Sequence, residues 1–298
     1  IVKNKDSIDV YNPDKSSIKL IPNMKNDNPT WQNYKNKIAN VTNPITNILN
    51  CGISQQNNCI QNNIYNFNDD RLTIDILFDK KTVNNNIKNQ IEQIIKINSS
   101  TSNDLIISNT VTSFNQIVGL KRTSSIEFYV DFETTRLVDD SEILYLIGLG
   151  VSINSTWTFY SFVLDVNKPK NEKKLILEWI SKMNKIRRDN NIKTQCKIWH
   201  WSKAEPAIYK RTIAKYLELD LAKLNWVDLR EIFITEQIAI KGAYNYKLKT
   251  IVNNMNKHGF IETNYNNIEC DSGIDALVEG YECYSSAKRM KNVPLKYY

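Results

Sequence analysis

The chain has 298 residues, enough for one large domain or two of ordinary size. Hydrophobic residues make up 41% and charged residues 24%, which fits a folded protein with a core, and 39 Lys and Arg against 32 Asp and Glu leave a net charge of +7, a balance suited to a polyanionic partner. Five cysteines without CxxC spacing and only two histidines, His200 and His258, argue against a disulfide framework and a histidine-rich zinc site.

No apolar run approaches the ~20 residues that span a bilayer, and no secretory leader is visible, so an intracellular protein without membrane attachment is expected. The sequons at Asn40, Asn98 and Asn154 then carry no expectation of glycosylation. Ile1 in place of an initiator Met is expected of a piece cut from a longer protein. Asn-rich stretches such as "QQNNCIQNN" and "TVNNNIKNQ" read as the drift of an AT-rich genome, because Ile, Leu, Tyr and Phe recur throughout.

Two halves differ in texture. Residues 1–121 have short helical patterns and few strong strands. Trp31, Tyr34, Ile38 and Ala39 fall at helical spacing, and "IKNQIEQIIKI" (87–97) predicts an amphipathic helix. This region reads as a mainly helical connector; a helical nucleic-acid-binding hairpin around Cys51-Gly52-Ile53 is the other reading. Residues 122–298 read as a second domain. "IEFYVDF" (126–132) predicts a strand, "EILYLIGLGVSI" (142–153) a strand buried on both faces, and "TWTFYSFVLDV" (156–166) its hairpin partner. "NEKKLILEWISKMNKIRR" (171–188) puts Ile176, Trp179, Ile180 and Met183 on one helical face. "CKIWHW" (196–201) predicts a strand and "EPAIYKRTIAKYL" (205–217) a helix with Pro206 in its first turn. "WVDLREIFI" (226–234) follows, then a helix in "YKLKTIVNNMNKHG" (246–259) closed by Gly259. The order β-β-β-α-β-α predicts an α/β fold, a ribonuclease-H-like mixed sheet flanked by helices.

The strongest local feature is "YVDFETT" (129–135). Side chains two apart on a strand point to one side, so Asp131 and Glu133 project together. Paired carboxylates repel unless a cation stands between them, and Mg²⁺ or Mn²⁺ favours such oxygen ligands. A D-x-E at a strand end also arises by chance. Glu205 opens the helix after "IWHW", where a carboxylate is equally an ordinary partner of the helix dipole. In the expected fold that strand runs beside the first, which would bring Glu205 near Asp131. His200 reads as a packed residue without chemistry.

"FYVDFETT", "IWHWSKAEPAIYKR", "WVDLREIF" and "YNYKLKTIV" together resemble the DEDD-type ribonuclease-H-like exonuclease domain of predicted RecB-family nucleases, of the kind found in large DNA viruses. The resemblance runs from about Glu127 through "CDSGIDALVEGYECY" (270–284) to Tyr284. More loosely, "WQNYKNKIANVTNPITNIL" (31–49) is similar to the connector after an N-terminal RecB-like nuclease domain, which is implied in the full-length protein.

The resemblance implies a metal-dependent nuclease acting on DNA or RNA, of 3′-5′ exonuclease type, with a two-metal Mg²⁺ or Mn²⁺ site. Asp131, Glu133 and Glu205 would be its catalytic and metal-binding residues. Asp228 would be structural. Lys247 and Lys249 would approach phosphate, as could Arg136 beside the acidic strand. Tyr129, Trp199 and Trp201 are candidates for base stacking, against the commoner role of aromatics in a core. The family's last motif, Tyr-x-x-x-Asp, is not found before Tyr298. Its carboxylate is expected beyond that residue, with Glu269, Asp271 and Asp275 as substitutes within the chain. A degenerate nuclease-like domain serving as a nucleic-acid-binding or assembly module is the alternative.

Overall fold

The structure is a computed structural model that describes residues 21–26, 28, 30–79, 84–99, 101–108, 126–136, 141–154, 156–164, 168–216, 224–263, 265 and 278. In chain order the elements are helices α1 (Gln32–Thr42), α2 (Ile53–Gln61), α3 (Ile74–Phe78) and α4 (Asn85–Asn98), then strand β1 (Ile106–Ile107). Strands β2 (Ile126–Arg136), β3 (Glu142–Ile153) and β4 (Thr156–Val163) follow, then α5 (Glu172–Asp189), β5 (Lys197–His200) and α6 (Ala204–Ala214). The last elements are β6 (Asn225–Asp228), α7 (Leu229–Thr235), β7 (Ala239–Ile240) and α8 (Leu248–Lys257).

The chain forms two compact units, one of residues 1–118 with 233–264 and one of residues 119–232 with 265–298. By their contacts, residues 233–264 group with the helical unit. The tie is local and visible. β7 pairs antiparallel with β1, Ile106 opposite Ile240 and Ile107 opposite Ala239, and Gln90 Nε2 donates to the Ile234 carbonyl at 3.2 Å.

In the helical unit, turn chemistry sets the helix starts. Thr73 accepts from the Ile76 N–H at the head of α3, Asn84 accepts from the Asn86 N–H at the head of α4, and the Gly52 N–H is closed by Gln55 Oε1 before α2. Cys51 and Cys59 sit in its core with Ile45, Ile48, Leu77 and Ile91. Burial pushes both thiols up to about 12, so they act here as small apolar groups.

The sheet unit is a mixed α/β structure with strand order β4-β3-β2-β5-β6. The first three strands are antiparallel neighbours; β2, β5 and β6 run parallel. On β2 Ile126, Phe128, Val130 and Phe132 are buried and face one side, while Tyr129 and Asp131 face the other together with Glu127, which is itself buried. The buried row packs on α5, whose Ile176, Trp179 and Met183 repeat at helical spacing. Trp179 is wholly buried, with Phe132 edge-on at 5.3 Å and Tyr209 of α6 at 5.9 Å. Removing such a side chain costs about 3–5 kcal/mol.

One buried carboxylate fastens the start of α5 to the sheet. Glu172 Oε1 accepts from the Leu144 N–H at 2.8 Å, and its two oxygens also meet Lys215 Nζ at 3.1 and 3.0 Å and the Tyr216 hydroxyl at 2.9 Å. β3 and the chain just after α6 are thereby held to the same helix end. Among the described residues no helix is long and apolar enough to cross a membrane.

Candidate functional site

Asp131 and Glu133 lie on β2, the middle strand of the sheet and the one where antiparallel pairing gives way to parallel. In the parallel part, Tyr129 is level with Trp199 and His200 with Asp228. The carboxylates therefore sit toward the carboxyl ends of the parallel strands, where open α/β sheets form crevices. Immediately after Glu133 the β2–β3 register slips: Glu133 faces Leu146 but Thr134 faces Leu144. An irregularity of this kind bends a strand and re-aims the side chains beside it. Beyond the slip, Thr134 Oγ1 donates to Glu142 Oε1 at 2.8 Å and Arg211 pairs with Glu142 at 2.6 Å, pinning that end of the hairpin to α6.

The third carboxylate comes from the first turn of α6. Glu205 is 6% exposed, and its Oε2 has no hydrogen-bond partner. His200, at the end of β5, is equally buried; its Nδ1 stands 3.5 Å from that oxygen. The turn between them is shaped by Asp228, whose Oδ1 accepts from the Ser202 N–H and the Arg230 N–H, both at 2.9 Å. Ser202 has φ +84°, a conformation an L-residue holds only when its neighbours impose it. Asp228 is thus a structural residue that also caps α7.

The three carboxylates feel one another. Dense surrounding protein pushes the Asp131 carboxyl above its ordinary range, the negative charge of Glu205 adds to this, and the Phe132 N–H offsets part of it. Asp131 nonetheless keeps an exposed edge. Glu133 is raised by burial first, then by Asp131 and by Glu205. The phenol of Tyr265 is raised by burial and then by Asp131, which places this residue in the same electrostatic neighbourhood. Among the described residues, no three His, Cys, Asp or Glu side chains stand close enough to hold a metal ion as they are. The donor set is still all oxygen, and the orphaned Glu205 oxygen is the kind of group a hard cation satisfies.

The remaining candidates separate. Arg136 is the last residue of β2, level with Glu142; its side chain lies outside the described residues. Lys247 and Lys249 are exposed at the start of α8, in the helical unit and not in the unit that carries the carboxylates. Glu269, Asp271 and Asp275 lie outside the described residues. Trp199 is 2% exposed and offers no free face for stacking, while Tyr129 and Trp201 are half-buried. Two aromatics absent from the sequence-based candidates, Trp157 and Phe159 of β4, are open at 57% and 52%. Their strand alternates and reads as an ordinary hairpin arm; only the glycines opposite, Gly148 and Gly150, hint at an unusual surface. In comparison with known proteins, the chain matches no family model and no curated protein.

Proposed function

We propose that the sheet unit is a divalent-metal-dependent nuclease domain of the ribonuclease-H-like, DEDD type. The support for this reading is that Asp131 and Glu133 of β2 both lie within reach of the negative charge of Glu205 from α6, and that a buried Glu205 oxygen is left without a hydrogen bond. The sheet order, with an antiparallel hairpin pair followed by two parallel strands, supports it. Asp131, Glu133 and Glu205 would hold Mg²⁺ or Mn²⁺, which when bound activate water and stabilise a leaving phosphate oxygen. Asp131 presents an open carboxylate to solvent and substrate. Glu205 sits in the first turn of α6 with His200 Nδ1 3.5 Å from its Oε2, and the β2–β3 register slips directly after Glu133. The substrate class is DNA or RNA, and 3′-5′ exonuclease action is the form implied by the resemblance.

The test is digestion of end-labelled single- and double-stranded DNA and RNA with and without Mn²⁺, beside an Asp131→Asn control. Cleavage that needs Mn²⁺ and disappears in the variant is expected; cleavage that survives the substitution removes Asp131 from the chemistry. A second reading is a nucleic-acid-binding module without catalysis. It predicts strand binding without cleavage at any Mn²⁺ concentration.

A further inference from the structure

The carboxylate-bearing face of the sheet continues away from Asp131 as an aromatic surface. Tyr129 and Asp131 are two apart on β2 and share that face. Register carries it outward: Asp131 is opposite Gly148, which is opposite Ser161, and Tyr129 is opposite Gly150, which is opposite Phe159. Trp157 stands one step further along β4, opposite Ser152. The middle positions of these rows are glycines, and the rings of β4 lie over the gap they leave. A β-carbon on Gly150 would come within 2.2 Å of the Trp157 ring, and one on Gly148 within 3.4 Å of Phe159. The Tyr129 ring is 5.1 Å from that of Trp157. Both β4 rings nevertheless remain more than half exposed, on the edge strand of the sheet.

We infer that Trp157, Phe159 and Tyr129 form a stacking platform for unpaired nucleobases, so that the adjoining carboxylates receive a single strand or a frayed end. The inference rests on the nuclease reading of Asp131, Glu133 and Glu205. Exposed rings in a row accept the π-face of any base, whereas a closed duplex keeps those faces stacked inside. The platform runs straight into ionisable groups: Tyr129 and Asp131 are about 7 Å apart along the strand. A protein partner laid over the rings would have to strip water from Asp131 as well, at a cost that an apolar contact does not return. A nucleic-acid strand places a base on the rings and keeps its charged backbone in solvent.

The experiment uses the whole 298-residue chain in EDTA and fluorescence anisotropy with a labelled oligothymidylate and a labelled blunt duplex. Trp157→Leu keeps an apolar cover over Gly150 but removes the π-face; Trp157→Phe keeps both. Trp157→Leu and Phe159→Ala are each expected to weaken single-strand binding by about 5- to 150-fold, with duplex binding unchanged and Trp157→Phe close to the parent. Matching circular dichroism and melting curves establish that each variant is folded. Equal single-strand affinity in all variants, or no single-strand binding by the parent, overturns the platform. So does a parent dimer that the substitutions dissociate without touching strand affinity, since the face is then a protein interface. The readout does not depend on catalysis. A platform effect without cleavage by any form removes the nuclease reading alone, and robust Mn²⁺-dependent cleavage with unaltered affinities removes the platform alone.

Discussion

His200 Nδ1 stands 3.5 Å from Glu205 Oε2, and neither of these buried atoms has a hydrogen-bond partner. A buried oxygen in that state costs about 1–3 kcal/mol, which a bound cation would recover. Mn²⁺ is therefore expected to raise the melting temperature of the parent chain, and Glu205→Gln to abolish most of that rise. His200→Phe, which removes a side chain able to orient the carboxylate, should weaken Mn²⁺ binding by about 10- to 100-fold while leaving the fold intact. Calorimetric titration of Mn²⁺ reads both. Affinity unchanged in Glu205→Gln would exclude Glu205 as a ligand.

The raised carboxyls of Asp131 and Glu133 set a pH dependence with a definite sign. A carboxyl whose folded pKa lies above its unfolded value binds more protons in the folded state between the two. Stability contributed by such a group falls as pH rises from the ordinary carboxylate range through the raised value. Melting temperature in EDTA should thus fall over that window, and Asp131→Asn should flatten the fall and hold or raise stability near neutrality. Identical pH profiles for parent and variant would count against mutual repulsion at the site.

Glu172 offers a stability test away from the chemistry. Its carboxylate, 2% exposed, serves the Leu144 N–H, Lys215 and Tyr216 together. Glu172→Ala leaves the Leu144 donor buried and unpaired and is expected to cost about 3 kcal/mol in urea denaturation. Glu172→Gln keeps an acceptor and should cost less. A loss below that of an ordinary surface substitution would mean that water replaces the carboxylate there.

Asp228 separates positioning from catalysis. Asp228→Ala frees the Ser202 and Arg230 N–H groups, with an expected loss of about 2 kcal/mol. Because the Ser202 turn leads into Glu205, Mn²⁺ affinity should fall as well. Asp228→Asn keeps a side-chain acceptor and should restore both. Loss of Mn²⁺ affinity in both variants at unchanged stability would make Asp228 a ligand instead.

The sheet unit was largely legible because its elements carry strong local patterns. The apolar run 142–153 is strand β3 with the same limits, and the spacing of Ile176, Trp179 and Met183 places the core face of α5. The positions of Asp131 and Glu133 on a strand and of Glu205 in the first turn of a helix were legible because their motifs mark those elements. Burial was harder to read. Trp199 and Trp157 both lie on strands, yet one is sealed at 2% and the other open at 57%, a difference set by which strand forms the sheet edge. The return of residues 233–264 to the helical unit is made by two strands of two residues each and by scattered hydrogen bonds such as Gln90 to the Ile234 carbonyl and the Leu49 N–H to the Tyr244 carbonyl. Segments that short leave no periodicity to detect, so the grouping of Lys247 and Lys249 with the helical unit was not legible in the sequence.

The pairing of β1 with β7 also bears on how the chain reaches its native state. Gln90 and the carbonyl of Ile234 that it contacts are 144 positions apart, and all five strands of the larger sheet are synthesised between the two halves of the helical unit. At a ribosomal pace of about 5–20 residues per second, α1 to α4 wait several seconds for the ladder partner that completes their unit. Such non-local closure is slow, and it exposes helix surfaces and an unpaired strand edge in the interval. The five-stranded sheet, whose strands and helices lie closer together in sequence, is expected to form first, and the helical unit to close around the two ends of chain that it leaves behind.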